Sequence, residues 1–232
     1  MKKIFLSASV SLALAVVCSC GTTSQVAQQP VIQQETAVTP PKPINWQGAE
    51  LGLQIPDWVV YIASQDYEGL NNLPEAKGKR LLPVVGYGAD RDLLKVWIDS
   101  QDASSKLSEE ISQAVTSETS SRVSGNAATE AGEAPLRMAK KVVGIVSQTN
   151  FSGFNRLKTF WVQIRRPSDG KLEYNMYVLY GIDKEILSKQ IDAVLKQVSA
   201  ESPEEEEALE DMDRIIRATS AKAGAVSSTK VE

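Results

Sequence analysis

The stretch Leu157–Tyr180, LKTFWVQIRRPSDGKLEYNMYVLY, carries the strongest fold signal in this chain. Its first half alternates two sets of residues, namely Phe160, Val162 and Ile164 against Trp161, Gln163 and Arg165. A Pro-Ser-Asp-Gly turn follows, and the second half alternates again from Leu172 to Tyr180. Two runs of period two around such a turn predict a β-hairpin. Because the second run has large side chains on both faces, we expect it to be the more central strand.

Helices are predicted on both sides of the hairpin. Asp90 can cap a long helix that reaches Thr116 and carries one apolar stripe, formed by Leu94, Trp97, Leu107 and Ile111. The polar stretch from Thr116 to Ala134 predicts a loop, and Pro135 is placed to open a second helix. Asp183 can cap a further helix, whose apolar stripe we expect to pack on the sheet.

A third strand is predicted at Leu81–Tyr87, where Pro83 restricts it to a sheet edge or to the beginning of a strand. The Gly86-Tyr87-Gly88 sequence after it lacks the third glycine of a dinucleotide-binding fingerprint, so we interpret it as structural. The predicted fold class is α+β. We expect a small antiparallel sheet, made of the hairpin and an edge strand, packed with a long helix and two to three further helices.

The N-terminus has the pattern of a lipoprotein signal peptide. Lys2 and Lys3 precede an apolar run from Ile4 to Val17, which is too short to span a bilayer. Ser19 and Cys20 follow, and the small residue before Cys20 suits cleavage there. We therefore predict that residues 1–19 are removed and that Cys20 carries the lipid.

The remaining chain divides by composition into four segments. Residues 20–45 are rich in Pro and Gln and predict a disordered tether, and residues 46–200 predict the α+β domain. Ser202 and Glu205 form a capping box at the start of an acidic helix, residues 201–217, whose glutamates we interpret as a solvated face. Residues 218–232 predict a disordered tail.

Composition argues against several classes of function. The net charge of −4 without a basic stripe argues against nucleic acid as a partner. The chain has no histidine, which removes the commonest general base and metal ligand. The carboxylates of the long predicted helix are better explained as surface charges than as catalytic acids; they are Asp90, Asp92, Asp99, Asp102, Glu109 and Glu110. We predict no catalytic residue, no metal and no cofactor.

Candidate binding residues cluster in the hairpin. Trp161, Arg165, Arg166 and Tyr177 form a candidate partner-binding patch, because interfaces favour aromatic residues and arginine. An alternative is a site for a small apolar or glycan ligand on the rings of Trp161, Tyr174 and Tyr177. A rim strand with solvated arginines is the structural alternative to the patch.

Three short motifs resemble one bacterial family. They are Pro56-Asp57-Trp58-Val59, the pair Gly86 and Gly88, and Tyr177-Val178-Leu179. Their order resembles the twenty-kilodalton membrane-associated lipoprotein (LPP-twenty) family over about Ile55 to Val198. The resemblance implies an α+β domain anchored at a membrane that acts as a structural or interaction module, and it brings no catalytic residue.

These features predict a non-enzymatic lipoprotein of the cell envelope. Lipid on Cys20 would hold it at the membrane, and Gly21 after that cysteine favours the outer membrane. Its expected partners are another copy or another envelope protein. The alternative function is a binding protein for a small apolar or glycan ligand.

Overall fold

The predicted hairpin is present and occupies the middle of the sheet. In the computed structural model, which describes residues 42–123, 130–224 and 227–231, it is formed by β3 and β4, with Arg165 opposite Leu172 at the turn. The described strands are β1 (Pro43–Trp46), β2 (Lys79–Gly88), β3 (Asn155–Arg165), β4 (Leu172–Asp183) and β5 (Ser227–Lys230). Their order across the sheet is β1-β3-β4-β2-β5, so the second hairpin strand is the central one, as predicted.

The sheet is antiparallel except at one edge. β1 pairs with β3, and β2 pairs with β4, both antiparallel. β5 pairs with β2 in parallel, with Val84 opposite Ser227 and Tyr87 opposite Lys230. The α+β prediction is confirmed, and the sheet has an additional strand at each edge of the predicted three. The edge position predicted for the strand with Pro83 is wrong, because β2 lies between β4 and β5; the proline is tolerated since the pairing with β5 begins only at Val84.

The described helices lie between and after the strands. They are α1 (Asp57–Ala63), α2 (Tyr67–Asn71), α3 (Arg91–Asp99), α4 (Ala103–Val123), α5 (Glu130–Gln148), α6 (Lys184–Leu195) and α7 (Pro203–Ala221). Two short 3-10 helices occupy Ala49–Leu51 and Pro74–Ala76. In the described ranges no helix is both long and apolar enough to cross a bilayer.

The core has three parts. α1 and α2 bury Trp58, Ile62 and Leu70 against one face of the sheet. α3 buries Leu94 and Ile98 against the opposite face, beside Val84 and Val178. The third part is a helical cluster in which α4, α5, α6 and α7 pack on one another.

Gly86 and Gly88 are structural, which agrees with our interpretation of Gly86-Tyr87-Gly88. A Cβ at position 86 would lie 2.6 Å from Cε3 of Trp97, so the missing side chain lets the indole ring pack directly on β2. A Cβ at position 88 would lie 2.6 Å from the Val231 carbonyl oxygen. The two glycines therefore admit α3 and the C-terminal segment to the strand.

The single helix predicted from Asp90 to Thr116 is wrong in its bounds. Asp90 does cap a helix, since its Oδ1 accepts from the backbone N–H of Asp92 and of Leu93. That helix, α3, ends at Asp99, and α4 begins at Ala103. The predicted stripe is divided as well, because Leu94 packs on the sheet whereas Leu107 and Ile111 pack in the helical cluster.

The loop predicted between Thr116 and Ala134 is also wrong over most of its length. α4 continues to Val123, where Thr119 and Val123 are buried, and α5 already begins at Glu130, so Pro135 lies inside that helix. Polar composition did not prevent a helix here, because polar residues make the contacts with α7: the Thr119 hydroxyl packs on Met212, and Arg122 pairs with Asp211. α6 has the predicted cap and stripe, but Leu187, Ile191 and Val194 pack in the helical cluster, to which the sheet contributes Ile182.

Two predicted segment boundaries need correction as well. Pro43 to Trp46, placed at the junction of the tether 20–45 and the domain, form β1, because Trp46 packs beside Val162 on β3. The tail predicted as residues 218–232 is ordered where it is described: α7 reaches Ala221, and β5 adds to the sheet.

The acidic helix docks on the domain through Ala208, Met212 and Ile216. Cys20 and residues 1–41 lie outside the described part of the chain.

Candidate interaction surface

One end of the sheet, near the turn of the hairpin, keeps part of its face in solvent. The cross-strand pairs Arg165–Leu172, Gln163–Tyr174 and Trp161–Met176 place their side chains on the face against which α3 packs. α3 covers Met176, but Trp161, Gln163 and Tyr174 are only half-buried, and Arg165 and Leu172 are exposed. We call Trp161, Gln163, Arg165, Leu172 and Tyr174 the open sheet face.

An aromatic pair lies at the centre of the open sheet face. The rings of Trp161 and Tyr174 are 5.8 Å apart and meet edge to face at 68°. The guanidinium of Arg91, from the first turn of α3, lies 5.4 Å from the centre of the Trp161 ring. Stacking of this kind fixes the orientation of the indole ring and keeps a positive charge beside it.

The two predicted arginines have different surroundings. Arg165 is exposed, and its Nη1 donates to the Gly170 carbonyl at 2.7 Å, with no carboxylate in ion-pair contact among the described residues. Arg166 instead forms ion pairs inside the turn, with Asp169 at 2.6 Å and Glu173 at 3.4 Å. The hydrogen bonding that Arg166 donates to Asp169 lowers the pKa of the Asp169 carboxyl and raises the pKa of the Arg166 guanidinium. Arg165 is therefore available to a partner, whereas Arg166 stabilises the turn.

Tyr177 does not belong to this surface, so its assignment to the binding patch is corrected. The side chain is 5% exposed and packs on the opposite face of the sheet, in the cluster formed with Trp58 and Ile62. Burial raises the pKa of the Tyr177 hydroxyl. The reason is the alternation of the strand, because Tyr177 follows Met176 by one residue and must point the other way. The three-ring ligand site is reduced to Trp161 and Tyr174.

Sequence reasoning missed three members of the surface region, namely Gln163, Leu172 and Arg91. Leu172 was assigned only to the strand, although its register opposite Arg165 places it at the exposed end. Arg91 is contributed by a helix that precedes the hairpin by more than sixty residues in sequence. The hairpin turn could have indicated Leu172, but no sequence signal indicates Arg91.

The carboxylates considered as acid or base candidates have structural contacts. Asp90 and Asp102 cap helices, Glu109 pairs with Lys106, and Asp99 pairs with Arg156. Glu110 lies 2.6 Å from Arg80, whose side chain is completely buried. Across the described ranges no three His, Cys, Asp or Glu side chains are grouped closely enough to hold a metal ion.

Glu205 of the capping box is the exception to the solvated acidic face predicted for α7. It is 4% exposed, and its carboxylate accepts from the Glu201 backbone N–H, from Nε of Arg137 and from Nζ of Lys141. These contacts, led by the backbone hydrogen bond, lower the pKa of Glu205. Of the predicted capping box, the Ser202 half is present, since Oγ of Ser202 accepts from the Glu205 N–H at 3.3 Å, whereas the Glu205 carboxylate accepts from the N–H of Glu201 rather than that of Ser202. The start of α7 is thereby joined to α5.

The chain was compared with known proteins in three ways. No protein-family model matches it, and searches of curated proteins and of solved structures found no significant match. The resemblance to the LPP-twenty family accordingly stays a prediction that rests on the motifs at Pro56–Val59, Gly86, Gly88 and Tyr177–Leu179.

Proposed function

We propose that this protein is a non-enzymatic lipoprotein of the bacterial outer membrane, held by lipid on Cys20, whose domain contacts another envelope protein or a second copy of itself. The anchor rests on the sequence Lys2-Lys3, the apolar run to Val17 and the pair Ser19-Cys20. A doubly or triply acylated cysteine would make the attachment effectively permanent.

The open sheet face is the observation that supports the interaction role. It combines a Trp–Tyr pair with an exposed leucine and with Arg165, which has no carboxylate partner among the described residues. Protein interfaces favour aromatic residues and arginine, and Leu172 is 46% exposed. Arg165 gives the surface a positive charge on an acidic protein, whereas Arg91 is partly balanced by Asp92 at 3.8 Å. The complementary partner surface therefore carries carboxylates or carbonyl oxygens opposite Arg165.

The non-enzymatic part of the proposal is supported by the contacts of the carboxylates. Asp90 and Asp102 are helix caps, and Glu110 is the ion-pair partner of buried Arg80. For Asp102, the hydrogen bond from the Ser105 hydroxyl lowers the pKa of the carboxyl. A general acid near neutral pH needs the opposite environment, one that raises its pKa.

The anchor is tested by Cys20→Ser in the full chain. We expect the variant to lose its membrane fractionation and the wild type to yield an acylated N-terminal peptide by mass spectrometry. Membrane fractionation that does not change in the variant would contradict the anchor.

The interaction surface is tested by crosslinking in membranes followed by co-purification. Arg165→Glu and Leu172→Asp change exposed side chains and should leave the fold intact, which circular dichroism checks. Each should weaken recovery of the crosslinked partner by about 10-fold or more, the effect expected of an interface hot spot. Val96→Asp, on the exposed side of α3, is the matched control and should have no effect. Equal recovery with all three variants would contradict this surface as the interface.

A further inference from the structure

Three large apolar side chains are exposed where the chain enters the sheet. Leu51 is 81% exposed, Leu53 is 55% exposed and Ile44, on β1, is 49% exposed. The two leucines belong to the turn that follows β1, so the three side chains lie within one strand and its turn. We call Ile44, Leu51 and Leu53 the apolar edge.

The turn that carries the two leucines is held by its own hydrogen bonds. The backbone N–H groups of Leu51 and Leu53 both donate to the Gly48 carbonyl, at 3.0 and 3.1 Å, and Nε1 of Trp46 donates to the Leu53 carbonyl at 2.7 Å. Gly48 and Gly52 have φ values of +80° and +72°, which other residues adopt only with strain. The exposed leucines are therefore presented by a closed turn that is fastened to Trp46.

The backbone edge of β1 is poorly suited to adding a strand from another protein. Pro43 lacks an N–H group, and the pairing with β3 has a bulge between Pro43 and Asn45. Both features are known to blunt sheet edges. A partner for the apolar edge must therefore contact its side chains rather than extend the sheet.

The position of the apolar edge indicates what that partner is. Residues 1–41, which include Cys20, join the described domain at Lys42, directly before β1. The tether predicted from the composition of residues 20–45 is short, because a random coil of as many residues as separate Cys20 from Pro43 spans about 25 Å on average. A lipid attached at Cys20 would thus keep the bilayer surface within reach of Ile44, Leu51 and Leu53.

We infer that the apolar edge rests on the lipid bilayer and that Leu51 inserts into the interfacial region of the membrane. The inference depends on the proposed lipid anchor and adds an orientation to it. Leu51 can enter the interfacial region of the membrane without a change in the fold, because it is already 81% exposed on a turn held by its own hydrogen bonds. α3 packs on β2 and β4, on the other half of the sheet, so its exposed residues stay in water.

The test uses the mature, lipidated chain reconstituted on vesicles of phosphatidylethanolamine and phosphatidylglycerol. In that chain the sulfur of Cys20 carries the lipid, so Leu51→Cys supplies one free thiol for the polarity-sensitive dye NBD. Val96→Cys, which replaces an equally apolar residue that is 69% exposed on α3, is the matched control. We expect blue-shifted, brighter emission at position 51 on vesicle binding and an unchanged spectrum at position 96.

The outcomes separate the inference from the anchor. If the protein floats with the vesicles but the emission of the dye at position 51 stays that of an aqueous environment, the inference is contradicted and the anchor is not. Equal shifts at positions 51 and 96 overturn it as well, because they indicate contact without orientation. If the protein does not float with the vesicles, both the anchor and the inference are contradicted. As a second readout, Leu51→Asp with Leu53→Asp should abolish the shift of a dye at Ile44→Cys without changing flotation.

Discussion

Arg80 is a completely buried arginine at the junction of the sheet and the helices. Its Nη2 lies 2.6 Å from Oε2 of Glu110 on α4, while its Nε and Nη1 have no hydrogen-bond partner in the described part of the chain. Gly224 packs against the pair, since a Cβ there would lie 2.8 Å from Arg80 Nη2. Such a charge is tolerated only when it is paired, so Glu110 is needed to keep Arg80 in the core.

Glu110→Ala should therefore destabilise the fold by about 3 kcal/mol, because it leaves the Arg80 charge buried without its carboxylate. The measurement is urea unfolding of the purified chain. Glu109→Ala is the matched control, since the neighbouring Glu109 is exposed and pairs with Lys106 at 3.5 Å, an interaction worth about 0.5 kcal/mol. The double variant Arg80→Met/Glu110→Leu should recover part of the loss. Equal losses for the Glu110 and Glu109 variants would show that Arg80 does not depend on its partner.

At the scale of elements, the break between α3 and α4 decides how the domain is built. The backbone N–H of Ser100 ends α3 by donating to the Val96 and Trp97 carbonyls. Asp102 then starts α4, because its carboxylate accepts from the backbone N–H groups of Ser104 and Ser105 at 3.0 and 3.3 Å and from the Ser105 hydroxyl at 2.6 Å. The break lets α3 follow the sheet while α4 joins the helical cluster.

Asp102→Ala should lower the free energy of unfolding by about 1 kcal/mol at neutral pH, the usual cost of an N-cap. The Ser105 hydroxyl bond lowers the pKa of Asp102 below its ordinary value of 3.8. The contribution of the ionised cap is thus complete above the unfolded pKa and is lost as the pH falls through the folded pKa. The difference between wild type and variant should shrink well below pH 3.8 in urea titrations. Asp102→Asn, which keeps a cap without a charge, should show no such dependence; a constant difference for Asp102→Ala would contradict the ionised cap.

At the scale of the whole molecule, the C-terminal segment joins the helical cluster to the sheet. After α7 the buried Ala223 donates its N–H to Oδ1 of Asn71, at 2.9 Å. β5 then pairs with β2, and the Val231 N–H donates to the Tyr87 carbonyl at 2.8 Å. β5 thereby covers the edge of an apolar strand that would otherwise be open to other chains.

Truncation after Lys222 should therefore destabilise the chain and promote association. The loss of several backbone hydrogen bonds and of buried Ala223 predicts a decrease of about 2–4 kcal/mol in unfolding free energy. Analytical ultracentrifugation should show oligomers, because the edge of β2 becomes available for pairing. Truncation after Val231, which keeps β5, is the control and should behave as wild type. A monomer of normal stability after the longer truncation would contradict the role of β5.

Local patterns were sufficient for the hairpin and for the helix caps at Asp90, Asp183 and Ser202. Each depends on residues within a few positions of one another: alternation around a turn, or a side-chain oxygen and the N–H groups that follow it. The same alternation should have placed the Tyr177 side chain on the other face of the sheet from that of Trp161. Its misassignment came from treating an aromatic side chain as exposed without asking which face was covered.

The sequence by itself determined the α+β class, the central hairpin and the prediction of a lipid anchor at Cys20, because these rest on short-range spacing and composition. Only the tertiary structure decided the break at Ser100–Asp102, the strands β1 and β5, the burial of Arg80 with Glu110 and the contact of Arg91 with Trp161. The two strands, the ion pair and the ring contact depend on partners far apart in the chain. The break is capped locally by Asp102, but it is needed because Leu94 packs on the sheet whereas Leu107 packs in the helical cluster. Such distant partners meet where the packed helices leave a surface uncovered. The spacing of residues along the chain does not indicate which surfaces those are.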